Sequence, residues 1–114
     1  MKNAIILHGT GTTPNEFWFP YLKKELETRG YNVWLPQLPN AEKPNIQDWL
    51  SFILKNGQIS NNTIIIGHSA GSQIILSILE NINKKIKQAI MVSGYAKLLP
   101  KDQKSKKLGS PDWK

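Results

Sequence analysis

A serine set between two glycines, Gly67-His68-Ser69-Ala70-Gly71, is the feature of this sequence best arranged for covalent chemistry. The five-residue pattern G-x-S-x-G recurs by chance, so its surroundings decide its weight. It follows the β-branched run Thr63-Ile64-Ile65-Ile66 and opens a segment whose apolar positions Ile74, Ile75, Ile78, Leu79 and Ile82 repeat at helical spacing. A serine on a sharp strand-to-helix turn has its hydroxyl lifted above the sheet. It also lies at a helix N-terminus, where unpaired amides stabilise developing negative charge. That is the arrangement for nucleophilic attack on a carbonyl carbon. Gly67 and Gly71 let strand and helix approach closely. In the pattern such turns follow, the residue after the serine, Ala70, donates its amide to the oxyanion, and a second amide comes from the turn after the first strand, here Thr10 within His8-Gly9-Thr10-Gly11. With no cysteine in the chain, covalent catalysis falls to serine, threonine or lysine, and thiolate metal sites are excluded. The plainer reading is that the Ser69 hydroxyl merely caps its helix.

A serine needs a base, and the chain holds two histidines, His8 and His68, both before Ser69 in the sequence. His8 ends the first strand and is expected to hold the following loop by hydrogen bonding, with service as a substitute base the lesser alternative. His68, next to the serine, is expected to point away from it. After Ser69 the acids are Glu80, Asp102 and Asp112, and none falls at the end of a later strand. The Gly9-Thr10-Gly11-Thr12-Thr13-Pro14 segment also invites comparison with nucleotide-binding loops. It lacks the P-loop lysine, carries Pro14 where a dinucleotide fingerprint has its third glycine, and Leu35-Pro36 offers no acid for a ribose. No cofactor and no metal are expected.

Alternating apolar runs and helical patterns must position these groups. The predicted strands are Ala4–Leu7, Asn32–Leu35, Thr63–Ile66 and Ala89–Val92. The predicted helices are Phe17–Arg29, one after an Asn45 cap with the buried stripe Ile46, Trp49, Leu50, Ile53 and Leu54, and the one opened by Ser69. The aromatic set Phe17, Trp18, Phe19 and Tyr21 reads mostly as helix-to-sheet core, with an apolar substrate pocket as the alternative. The fold class is α/β: a three-layer α/β/α sandwich on a parallel sheet of about four strands in the order 2-1-3-4, with both glycine-rich turns meeting at the switch point between strands one and three. Residues 1–96 are expected to form one core and 97–114 a lysine-rich tail. That tail carries +4 of the net charge of +7. Arg29 is the only arginine, so the basic balance reads as a solvated tail, and no nucleic-acid partner is expected. No run is long and apolar enough to span a membrane, and the start resembles no signal peptide, so no membrane association and a cytoplasmic location are expected. The fourth strand should leave an open sheet edge suited to self-association.

Taken together, Ile5-Ile6-Leu7-His8-Gly9-Thr10-Gly11, Phe17-Trp18-Phe19-Pro20-Tyr21-Leu22, Leu35-Pro36-Gln37-Leu38-Pro39, the Thr63–Gly71 segment and Met91-Val92-Ser93-Gly94-Tyr95 resemble the small serine hydrolases of the retinoblastoma-binding protein nine and YdeN-like family. Pro111-Asp112-Trp113-Lys114 is similar to a stretch that lies mid-domain there. The resemblance covers about the whole chain and the N-terminal part of the family's domain, which implies a truncated α/β-hydrolase fold, no cofactor, and Ser69 as nucleophile toward a small-molecule or peptide ester or amide. Since the fold orders its triad as serine, acid, histidine, the acid and histidine are expected beyond Lys114. Three readings follow: a fragment or split reading frame, a shortened member borrowing its partners, or an inactive relative that binds a ligand or protein.

Overall fold

The computed structural model describes residues 2–92. The expected tail at 97–114, together with Asp102 and Asp112, lies outside them. Seven elements follow in strict alternation: β1 (Asn3–Leu7), α1 (Phe19–Thr28), β2 (Asn32–Trp34), α2 (Ile46–Asn56), β3 (Thr63–His68), α3 (Ala70–Asn81) and β4 (Gln88–Val92). All pairings are parallel and the order is β2-β1-β3-β4, as the sequence predicts. The register aligns Leu7 at the end of β1 with Gly67, and His68 with Val92. The loops after β1 and β3 therefore leave the sheet side by side.

Handedness sets the layers. The step from β1 to β2 moves one way across the sheet and the steps from β2 to β3 and β3 to β4 move the other way, so right-handed crossovers put α1 on one face and α2 with α3 on the opposite face. Two apolar cores result. Ile5, Leu7 and Ile65 pack with Trp49, Leu50 and Ile53 of α2 and Ile74, Ile75 and Ile78 of α3. Ala4, Ile6, Ile64 and Ile66 pack on the other side against Phe19, Leu22 and Leu26. Successive residues of β1 and β3 serve opposite cores, which is why both strands read as unbroken apolar runs.

Several boundaries differ from the sequence reading. Helix α1 starts at Phe19 because Phe17 takes φ 54 and Trp18 becomes the cap, with Pro20 in the first turn, where its missing amide costs nothing. Phe17 and Tyr21 are consequently exposed, and of the four aromatics expected mostly as core only Phe19 is fully buried, with Trp18 half-buried. Ile46 and Leu54 of α2 and Leu79 of α3 are also exposed, since they flank stripes narrower than the periodicity suggests. Strand β3 continues through Gly67 and His68, and Asn45 caps α2 as expected, accepting the Asp48 amide at 3.0 Å. On the α1 face an apolar groove lies between that helix and β3–β4, lined by Trp18, Leu22, Leu26, Ile66, Ile90 and Val92. No helix of the described residues is long and apolar enough to cross a membrane.

Candidate active site

Ser69 occupies the single residue between β3 and α3, at φ 61 and ψ −122. This is territory that side chains other than glycine rarely adopt, and holding a residue there costs on the order of 1–3 kcal/mol. The Ser69 amide donates to the Val92 carbonyl at 3.0 Å, and the Ser69 carbonyl accepts from the Ser72 amide at 2.9 Å and the Ser72 hydroxyl at 2.6 Å. Three such bonds, at about 1 kcal/mol each, are enough to offset the strain. The Ser69 hydroxyl makes no capping bond to α3, so the plain capping role does not account for it.

The glycines make the turn by absence. A Cβ on Gly67 would strike the Gly71 carbonyl, and one on Gly71 would strike the carbonyls of Leu7 and His8. Gly9 brings the other loop against the serine: a Cβ there would stand 2.8 Å from the Ser69 Cβ and 3.2 Å from its Oγ. The β1 loop therefore touches the serine through bare backbone, and this space is open only because residue 9 is glycine.

His8, fully buried, organises that loop. Its Nε2 accepts the Leu38 amide at 2.8 Å, which requires an unprotonated nitrogen and places the proton on Nδ1, whose contact with the Gly9 carbonyl is 2.9 Å. Thr12 completes the knot: its Oγ1 accepts the Gly9 amide at 3.1 Å and lies 2.9 Å from the Gly9 carbonyl. Both ring nitrogens are thus engaged in structure. Burial lowers the His8 pKa below its ordinary 6.5, outweighing the opposing pull of the Gly9 carbonyl and the Glu16 carboxylate. With the Gly9 amide tied to Thr12, the next amide, that of the exposed Thr10, makes no hydrogen bond among the described residues. Ala70, the first residue of α3, carries an amide that helix geometry leaves without an intrahelical partner.

His68 lies on the opposite side of β3 from Ile65, on the α1 face. Its ring packs among Phe17, Trp18 and Phe19 at centroid distances of 5.7, 5.7 and 5.8 Å. The sequence reading brought His8, Gly9, Thr10, Gly67, Ser69, Ala70 and Gly71 to one place and the structure does the same. It missed Thr12, Leu38, Ser72 and Val92, which act through backbone and hydroxyl contacts. Of these only Ser72, three residues after Ser69 as in a helix-start turn, had a readable signal.

The model of the family described as serine hydrolase matches residues 4–110. The chain belongs to the serine hydrolase family. The hydrolase YdeN of Bacillus subtilis (strain 168) is 36% identical over 102 residues, a stretch covering 87% of this chain and 54% of that protein. The crystal structure of the B. subtilis ydeN gene product superposes with a TM-score of 0.78 at 35% identity, covering 90% of this chain and 57% of that one. An extracellular α/β-hydrolase from a Paenibacillus species shares the fold at a TM-score of 0.62 and 19% identity, over 80% of this chain and 40% of that one. The chain thus spans about half the length of the proteins it matches, and its sheet is part of an α/β-hydrolase fold.

Two outcomes follow from this geometry. Ser69→Gly relieves the backbone strain and Ser69→Ala does not, so in urea unfolding the glycine variant should be the more stable of the two by about 1 kcal/mol. His8 is neutral when folded and titrates higher when unfolded, so its contribution to stability is full above pH 6.5 and is lost as pH falls below that value toward its lowered folded pKa. Denaturation midpoints measured across this range should decline on acidification, and His8→Gln should flatten the decline.

Proposed function

We propose that Ser69 is the nucleophile of an acyl-transfer reaction that hydrolyses small-molecule or peptide esters or amides. The observation that supports this most is the Ser69 backbone at φ 61 and ψ −122 on a strand-to-helix turn, strained and held by its neighbours while its hydroxyl makes no capping bond. Strain of this kind is retained where a side chain must be presented in one direction. In the reaction, Oγ attacks the carbonyl carbon and loses its proton to a general base. The carbonyl oxygen becomes an oxyanion that accepts hydrogen bonds from the Thr10 and Ala70 amides. The tetrahedral intermediate then collapses, the alcohol or amine leaves with a proton, and water releases the acid from Ser69 by the same route in reverse.

His8 serves as a strut for the oxyanion loop rather than as the base, because its Nε2 already accepts the Leu38 amide. Gly9, Gly67 and Gly71 shape the turn, and His68 wedges it against the aromatics of the α1 face. A base and its acid partner complete the reaction, in the triad order that the fold uses. A cytoplasmic location goes with this reading, and β4, the outer strand of the sheet among the described residues, offers the edge for self-association.

A fluorophosphonate probe followed by intact mass tests the nucleophile. With donors present but no positioned base, triad enzymes keep residual catalysis on the order of 10³–10⁴ over water. A slow single adduct mapping to Ser69 is therefore expected, and Ser69→Ala should abolish it. Equal labelling of the alanine variant, or an adduct on another residue, would refute the assignment.

A further inference from the structure

Phe17 stands where glycine would be less costly. It has φ 54 and is the second residue of a turn closed by the Phe19 amide donating to the Glu16 carbonyl at 3.2 Å, with Trp18 next at φ −91 and ψ 3. Those angles match a type II′ turn, whose first central position favours glycine. A bulky aromatic residue there is a steric outlier. Burial does not compensate, since Phe17 is 64% exposed while Phe19, two residues on, is fully buried in the core. The ring is nevertheless held in place, edge-on to Phe19 at 5.8 Å and tilted against His68 at 5.7 Å. His68 is the residue immediately before Ser69. A costly conformation thus keeps an exposed aromatic face one residue from the nucleophile's turn, with no gain in core packing to explain it.

We infer that Phe17 is a specificity-determining residue of the Ser69 site, its exposed ring receiving an aliphatic or aromatic group adjacent to the reacting carbonyl. The substrate class is then apolar esters or amides rather than acetyl-sized or anionic ones. A single aromatic face supplies dispersion and apolar area, its π cloud repels negative charge, and the neighbouring Glu16 carboxylate likewise disfavours anionic groups. This rests on Ser69 as the reacting centre, and its test is kept separate from that chemistry.

The test uses the Ser69→Ala chain, in which no covalent step occurs, and compares benzylacetone with acetone as unreactive carbonyl probes in NMR titrations. Benzylacetone should bind saturably and perturb Phe17 and His68 resonances. Adding Phe17→Gly should weaken that binding about tenfold, leave acetone unchanged, and raise or preserve the urea midpoint; Phe17→Leu should keep most of the affinity. Undiminished benzylacetone binding by the glycine variant, no saturable binding by its parent, or a glycine variant that is clearly less stable would each overturn the inference, the last by making Phe17 a structural residue. Failure of Ser69 to react with fluorophosphonate would remove the nucleophile and leave this binding comparison readable.

Discussion

The backbone of Ser69 can be held at φ 61 and ψ −122 only because three elements crowd it at once. From β4 comes the Val92 carbonyl that takes its amide, from the first turn of α3 come the Ser72 amide and hydroxyl that take its carbonyl, and from the β1 loop comes Gly9, pressed against its side chain. Remove any one and the strain of about 1–3 kcal/mol loses part of what offsets it. The parallel sheet exists, in this sense, to bring three carboxyl-terminal strand ends to one residue. The order β2-β1-β3-β4 makes β1 and β4 the two neighbours of β3, so the strand bearing the serine is flanked by both contacts it needs.

The same logic extends outward through the β1 loop. His8 is buried and neutral, and its two ring nitrogens span from the Leu38 amide to the Gly9 carbonyl, coupling the loop after β2 to the loop after β1. Thr12 takes up the Gly9 amide, and the next amide along, that of Thr10, makes no hydrogen bond among the described residues. A histidine beside a serine invites assignment as a base, but the hydrogen-bond directions here assign it to scaffolding. On the other side of β3, His68 fills an aromatic cluster with Phe17, Trp18 and Phe19, where strand parity alone would send it.

Much of this was legible in the sequence because the strongest signals are those of a parallel sheet buried on both faces. Ile64-Ile65-Ile66 can hardly be anything but a central strand, and handedness rules then leave few sensible orders, among which 2-1-3-4 brings both glycine-rich turns together. What periodicity could not reveal was set by contacts distant in sequence. The start of α1 is displaced by the positive φ of Phe17, which no spacing rule predicts for an aromatic residue. The exposure of Ile46, Leu54 and Leu79 depends on how wide a stripe the neighbouring layer covers. The roles of Leu38 and Val92 lie in backbone groups, and any residue type supplies those.

The central claim is that the Thr10 and Ala70 amides converge on the oxygen of a group bound to Ser69. Amide proton shifts compared before and after phosphonylation of Ser69 test it most directly. The account predicts that the Thr10 and Ala70 protons move strongly downfield as they bond the phosphonyl oxygen, while the Gly9 proton, already bonded to Thr12, stays near its place. Unmoved Thr10 and Ala70 resonances in a fully modified chain would contradict it.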